Sequence, residues 1–457
     1  MGVTFTGDAP MGETRLSRRE AILAGLSAAA WAGGARAESS APLTDAFYFA
    51  FPRFEFARSA WAAAAQTPNR PQARWNQVNH RRGFSDHTAR VVTTPNNDTI
   101  YSSAWFDLTN GIVVLEAPTV LDRYLSMAFL DAQTDNFAAI GTRATGGAGG
   151  LFALVGPDWR GAVPRGTLAI RSPSNDVWMI ARILADGRPD DVAAANAIQD
   201  QIRVVDAPAP SPPQIAPSQA SDWENLLSVV NERLARQATA QSFAGSRAAL
   251  RRWGVHPGST GVWSSLQDEV RAAWRAQGPA VLATLVEGFA AGGETVHNWR
   301  YPPATIGSAS ASDFIRSAVA LSGLGALNRE EATYARCDIG PDGAALDGGR
   351  RYALKLPDRV PVRAFWSLSM YAHEPDGRLF FAENPLGRFA IGDRTPGLHR
   401  DPDGGLTIHM SHEEPADGVA NWLPAPAGRF SVVFRTYLPE TEILSGTWRI
   451  PEIMAVG

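Results

Sequence analysis

The chain has 457 residues, of which 45% are hydrophobic and 19% charged, with 42 basic side chains, 46 acidic ones and one cysteine. That is length and apolar content for two soluble globular domains with ample core. The mild net charge of −4 argues against a surface built for nucleic acid or anionic membrane, and the lone Cys337 excludes internal disulfides and thiolate metal clusters.

Residues 1–37 read as an export signal. Arg15-Leu16-Ser17-Arg18-Arg19 supplies the charge, Ala21 to Trp31 a modest apolar stretch, and Ala35-Arg36-Ala37 a small-residue cleavage site. Ser17-Arg18-Arg19-Glu20 resembles a twin-arginine signal, while Ala21 at the place of the usual aromatic leaves the general secretory route open. The competing reading is an ordinary buried first helix. Export predicts a periplasmic or secreted protein. Beyond this segment no apolar run approaches the ~18 residues that span a bilayer, so the mature form is expected to have no membrane span.

Thr44 to Ala65 is an apolar, aromatic-rich helical stretch. A polar loop follows around Pro68 to Pro71, and from Val91 to Arg182 the pattern turns to short alternating runs. Strands are predicted at Val91–Thr94, Thr99–Asp107, Ile112–Glu116, Tyr124–Asp131, Leu151–Val155, Thr167–Arg171 and Val177–Ile183, and a helix at Pro189–Val204. Ala207 to Pro217, with five prolines, is a linker. Ser221-Asp222-Trp223-Glu224 then reads as a capping box opening a helix to about Gln237, and further helices are expected over Ser265–Ala291 and Ser312–Ala326. Strands return at Tyr352–Leu356, Val362–Tyr371, Leu379–Phe381, Leu406–Met410 and Arg429–Tyr437, with Asp-Gly turns between them. The expected fold is mainly β with an α insert (α+β). Two antiparallel β-sandwich-like domains, residues 38–205 and 331–457, flank a helical connecting segment at 206–330.

Pro95-Asn96-Asn97-Asp98 brings short polar side chains to the start of a strand whose alternation puts Thr99, Tyr101, Ser103 and Trp105 on one face. This reads either as a polar ligand pocket or as a rigid Asx-type turn around a satisfied aspartate. Arg123, Leu125, Met127, Phe129 and Asp131 share a face of a second strand. Were the two strands neighbours, Asp98 and Asp131 would form a carboxylate pair able to exchange a proton, with Tyr101 beside them and Arg143 as partner of an anionic group. A structural Asp–Arg ion pair is the plainer alternative. In the C-terminal part Ser367, Ser369 and Tyr371 lie opposite Trp366, and Arg435 and Tyr437 share a face. Asn421-Trp422 reads either as a stacking platform or as core packing.

These segments carry a resemblance. Pro95 to Ser102, Asp131-Ala132-Gln133-Thr134, Gly141-Thr142-Arg143, Gly156-Pro157, Phe365-Trp366-Ser367-Leu368, Asn421 to Pro426 and Arg435-Thr436-Tyr437 together resemble the signatures of a bacterial two-part family, domains of unknown function 1254 and 1214. The resemblance runs from about Asp45 to Pro451. It implies the two-domain division and a short list of residues, but no reaction.

No G-x-S-x-G elbow, G-x-G-x-x-G or Walker loop, or H-E-x-x-H is present, and His409 and His412 point to opposite faces of a strand. No metal is assigned and no cofactor is named. Two functions remain open. One is an exported enzyme of hydrolase or lyase type, acting on a small polar or aromatic compound through Asp98, Asp131, Tyr101 and Arg143. The other is a non-catalytic envelope binding protein for carbohydrate or peptide. Asn96, Asn97, Trp105, Trp366, Tyr371, Trp422, Arg435 and Tyr437 are the candidate binding residues in either case. The expected partner is a small molecule, with self-association left open.

Overall fold

A computed structural model of the chain describes residues 42–64, 74–90, 92–237, 245–291 and 293–456; the export-signal segment lies outside them. Helix α1 (Leu43–Ala64) is buried on nearly every side, with Phe47, Phe49, Phe51, Phe54 and Phe56 all at 0 or 1% exposure. A helix apolar all round belongs at the centre of a bundle. It packs with the helices of the middle of the chain rather than with the strands that follow it.

Nine strands come next: β1 (Val78–His80), β2 (Thr99–Asp107), β3 (Val113–Ala117), β4 (Leu125–Leu130), β5 (Asn136–Gly141), β6 (Gly150–Val155), β7 (Thr167–Arg171), β8 (Asp176–Leu184) and, after helix α2 (Pro189–Gln199), β9 (Arg203–Asp206). They form two sheets, ordered β1-β2-β8-β4-β5 and β7-β6-β3-β9. Ile100, Ala104, Phe106, Leu125, Met127, Phe129, Val177, Met179 and Ile183 from the first sheet meet Val113, Leu115, Phe152 and Leu154 from the second. This is a sandwich core built by alternation.

The helical segment contains α3 (Trp223–Ala235), a 3₁₀ stretch (Gly245–Trp253), α4 (Val262–Ser265), α5 (Asp268–Ala291) and α6 (Asp313–Gly323). Asp222 caps α3 by accepting the Asn225 N–H at 3.2 Å, and Ser218 Oγ holds its other oxygen at 3.0 Å. The cap is therefore one residue beyond the predicted Ser221. Ser312, where the predicted helix begins, caps α6 through the Ile315 N–H.

The C-terminal sandwich pairs one sheet ordered β10-β11-β12-β19-β14-β15 with another ordered β18-β17-β13-β20. Its strands are β10 (Thr295–Val296), β11 (Trp299–Arg300), β12 (Ala332–Cys337), β13 (Arg351–Leu356), β14 (Val362–His373), β15 (Leu379–Phe380), β16 (Ala390–Gly392), β17 (Leu406–Ser411), β18 (Trp422–Pro424), β19 (Phe430–Pro439) and β20 (Ile453–Val456), with β16 added beside β14 and a short helix α7 at Thr441–Ser445. Pairing is antiparallel except for β6 with β7 and β17 with β18.

Some elements differ from the sequence reading. Residues 92–94 of the predicted first strand form a bend, because Thr94 takes a left-handed φ of 49° and donates its N–H to Leu379 O at 2.8 Å. The helix expected over Pro189–Val204 stops at Gln199, and Arg203–Asp206 pairs with β3 instead. Strands β1, β5, β10, β11, β12, β16, β18 and β20 were not predicted either.

The outer faces of the five-stranded and the seven-stranded sheet meet each other. Tyr124, Ala128 and Leu184 pack on Leu327, Ala332, Phe365, Tyr437 and Leu438. The polar motifs converge on this seam.

Candidate functional site

Each sheet at the seam presents one row of three side chains, in register across its central strands. In the N-terminal sheet Tyr101 on β2 is the partner of Arg182 on β8, which is the partner of Ser126 on β4. In the C-terminal sheet Tyr334 on β12 is the partner of Arg435 on β19, which is the partner of Ser367 on β14. Neighbouring strands are ~4.8 Å apart, so each row spans about 10 Å. Cross-strand partners share a face, and the alternate residues of the same strands fill the two sandwich cores.

The C-terminal row is occupied by the N-terminal domain's own turn. Ser367 Oγ donates to Asp98 Oδ2 at 2.7 Å. Arg435 gives Nη1 to Ser369 Oγ at 2.7 Å, and Nη2 to Tyr371 Oη at 2.7 Å and Thr94 O at 3.3 Å, while Tyr371 Oη donates to Pro95 O at 2.7 Å. Asn96 Oδ1 accepts the N–H groups of Asp98 and Thr99 at 2.6 and 3.2 Å, and its Nδ2 donates to Tyr437 Oη at 2.6 Å. The Pro-Asn-Asn-Asp motif is thus an Asx turn and also the piece of the N-terminal domain that docks into the C-terminal one. Burial raises the Asp98 carboxyl above its ordinary range, opposed by the charge of Arg435 and the hydrogen bond from Ser367.

The N-terminal row is built alike, but among the described residues no carboxylate side chain docks against it. Arg182 is 6% exposed and gives Nη2 to Gly325 O at 2.9 Å. Its Nε and Nη1 are buried without a hydrogen-bond partner, as are Ser126 Oγ and Thr99 Oγ1. Each orphaned buried group costs roughly 1–3 kcal/mol. Gly325 has φ 86°, and a Cβ there would stand 2.7 Å from Ile180, so only glycine brings this carbonyl onto the arginine. The Tyr101 ring lies 5.4 Å from the guanidinium. Burial works against the charge of Arg182, and the groups that raise its pKa, Tyr101, Tyr334, Tyr124 and Tyr437, can do so only as phenolates. Among the described residues no carboxylate comes within ion-pair distance of it.

The phenols themselves are held neutral. Burial raises Tyr437 and Tyr124 well above the ordinary tyrosine range, with neighbouring Tyr334 adding to the first and Glu331 to the second. Tyr334 is pushed up to about 12 by burial, against the pull of Arg182 and Arg435. Tyr101 and Tyr334 are only half-buried, so one side of the centre reaches solvent. As folded, the centre offers N–H and O–H donors and no strong base.

The remaining candidates divide. Arg143 pairs through Nε with Glu331 at 2.6 Å, and Tyr124 Oη donates to the same carboxylate at 2.8 Å. This is a structural ion pair across the seam. Asn97 donates to Ser85 O at 2.7 Å, away from the arginines. Trp105 stacks on Trp178 at 4.7 Å and packs on Phe56 of α1. Trp366 stacks on Phe434 inside the C-terminal core, and Trp422 is buried with its Nε1 on Ser411 O at 3.0 Å. These three indoles are core residues.

The proposed Asp98–Asp131 pair is corrected. Strand β8 lies between β2 and β4, so those two run parallel; Asp98 precedes β2 and Asp131 follows β4, at opposite ends of the sheet. Eight residues of strand separate their levels, roughly 25 Å. Asp131 instead accepts the N–H groups of Gln133 and Asp135 at 2.8 and 3.1 Å. It sits beside Asp135, which Arg316 of α6 holds at 2.9 and 3.0 Å, and near Arg53 of α1, which donates to Gln133 at 2.6 Å. The face of β4 that meets the seam carries Tyr124, Ser126 and Ala128; that of Leu125, Met127 and Phe129 is the sandwich core. Arg182 escaped the sequence reading, although one arginine in the apolar run from Val177 to Leu184 was its signal. Two open surface hollows, one along Pro210–Pro213 and Arg236 and one at Asn76–His80, contain none of these groups.

Residues 75–206 match the family model described as a protein of unknown function (DUF1254), and residues 331–441 the one described as a protein of unknown function (DUF1214). The chain belongs to this two-domain family. The two matches bracket the two rows of the seam. The crystal structure of the VPA0106 protein from Vibrio parahaemolyticus is similar over 91% of this chain and 98% of its own, with 25% identity and a TM-score of 0.70. A putative uncharacterized protein from Burkholderia cenocepacia aligns over 92% of this chain and 90% of its own, at 14% identity and a TM-score of 0.44. No functionally curated protein matches the sequence.

Proposed function

We propose that the protein is exported and binds a small anionic compound at the seam between its two sandwiches, where Arg182 and the protonated phenols of Tyr334 and Tyr437 stabilise negative charge. The observation that carries this reading is the buried guanidinium of Arg182, with two nitrogens unpartnered and no carboxylate beside it. A charge left so in a low-dielectric interior is costly, and groups of this kind cluster at functional sites. The signal-like segment before Glu38 supports export to the periplasm or beyond.

Enzymatic turnover is favoured by the same residues in an altered form. The protonated phenols donate protons rather than remove them, so chemistry here rests on polarising or protonating an oxygen of the bound compound. A carbohydrate or peptide groove of exposed indoles is less well supported, because Trp105, Trp366 and Trp422 are 4, 6 and 2% exposed.

Thermal melts of wild type and Arg182→Met against a panel of small anions and neutral analogues test this reading. At a hundredfold excess over Kd, a ligand stabilises by about 2.7 kcal/mol, so an anion should raise Tm in wild type and leave the variant unmoved. Without ligand the variant should melt at or above wild type, because a charge leaves the interior. A variant that loses several degrees, with no anion shifting either protein, would make Arg182 a structural residue and end the proposal.

A further inference from the structure

Resting on that reading of the Arg182 centre, we infer that the compound bound there is a small monocarboxylate, taken by its carboxylate group. The protein supplies the template. Of the two in-register rows, Tyr334–Arg435–Ser367 faces a carboxylate, that of Asp98, through the Ser367 hydroxyl at 2.7 Å and the charge of Arg435. The row Tyr101–Arg182–Ser126 repeats the same three residue types in the same order on the same three strand positions, and there the serine hydroxyl and two guanidinium nitrogens are buried and unpartnered. A side-chain arrangement that holds a carboxylate on one sheet is suited to hold one on the other.

Charge supports the same class. Asp98 balances one of the two row arginines, and Arg143 and Glu331 balance each other. Arg394 and Asp393, which also act on Asp98, offset each other, so among the described residues the row arginine left without a carboxylate is Arg182. A monoanion neutralises it, whereas a dianionic phosphate would leave a net negative charge in a buried site, which a low-dielectric interior resists. Thr99 Oγ1, one residue pair along β2 and also unpartnered, adds a second hydroxyl able to donate to the carboxylate or to an oxygen on the adjacent carbon.

Calorimetric titration of the full chain with acetate, lactate, benzoate, inorganic phosphate, sulfate and acetamide decides it, in wild type, Arg182→Met, Arg182→Lys and Ser126→Ala. Binding of at least one carboxylate is expected, with acetamide silent. Arg182→Met should abolish it, Arg182→Lys should keep the charge but weaken binding by losing the planar fork, and Ser126→Ala should weaken it about tenfold. Circular dichroism and melting of each variant report whether it has folded. Phosphate or sulfate binding more tightly than every monocarboxylate, with the same dependence on Arg182, would overturn the carboxylate assignment and leave an anion site standing. Binding of no anion in an Arg182-dependent way would overturn both.

Discussion

Asp131→Asn should stabilise the protein at neutral pH, against the usual expectation for loss of a hydrogen-bonded aspartate. Asp131 is 2% exposed, and its carboxyl is raised from 3.8 to about 6 by burial first and by the neighbouring Asp135 second, against two backbone N–H bonds and the charge of Arg53. At ~1.4 kcal/mol per pH unit, ionising it in the folded state costs about 3 kcal/mol more than in the unfolded chain. Both N–H groups bond to Oδ1, and the asparagine carbonyl keeps that acceptor while the like-charge contact with Asp135 goes. The sign follows from the raised pKa. Between about pH 4 and pH 6 the folded state binds more protons than the unfolded, so this group makes wild type less stable as pH rises through that window. The variant should therefore melt higher at pH 7.5, by up to about 4 °C if the chain unfolds as one unit at ~2.1 cal/mol/K per residue. The gap should shrink to about a third by pH 4.5 and close near pH 3.5. Calorimetric melting of both proteins at about pH 7.5 and pH 4.5 measures it. A variant that melts lower than wild type at both pH values would show that the ionised carboxylate, drawn by Arg53, is what holds the β4–β5 turn to the helices, and the argument from burial would fail.

Two further outcomes bear on the frame around the site. Arg236 bonds Asp107 and Asp176 at 2.9 Å each, and both carboxylates have 0% side-chain exposure. Arg236→Ala should cost roughly 3–5 kcal/mol by leaving buried charge underpaired, and Arg236→Lys should not restore it, because one ammonium cannot reproduce the fork; denaturant midpoints of the three proteins check this. Gly141 has φ 131°, and a Cβ there would lie 2.1 Å from Leu125 O, whereas at Gly146, with φ 61°, nothing stands within 4 Å. Gly141→Ala should lower Tm severely or prevent soluble expression, while Gly146→Ala should cost about 1–2 kcal/mol for its left-handed backbone alone.

Local pattern carried the strands that pack on themselves. Thr99–Asp107 and Thr167–Arg171 have the predicted bounds, since alternation and turn residues at both ends agree. What was missed depends on distant partners. Strand β18 is three residues long, ends in proline, and is a strand only because it lies parallel to β17. Strand β9 continued an apolar helical pattern until β3 claimed it. The family segments pointed to Asn96, Asp98, Arg435 and Tyr437, all of which meet at the seam. Their roles were not legible, because Asp98 and Ser367 are 269 residues apart in the chain. The conditional pairing of Asp98 with Asp131 failed for a topological reason: one strand inserted between β2 and β4 makes them parallel, and parallel strands put a residue before one and a residue after the other at opposite ends.

The two rows also tie the two halves of this chain to each other. Neither sandwich has a complete centre alone. The C-terminal row needs Asp98 from the N-terminal domain, or Arg435 and Ser367 would face each other with no anion between them. The N-terminal row needs Tyr334, Tyr437 and the Gly325 carbonyl to close over Arg182. Docking of the Asn-Asn-Asp turn into the C-terminal sheet fixes the distance between the rows, and so sets how Arg182 is presented. Asp98 is on this account a positioning residue: its loss would loosen the seam and alter ligand binding at a row it does not touch, whereas Arg182 would act on the ligand directly, and its replacement would remove one hydrogen bond, to Gly325 O, and leave the docked turn in place.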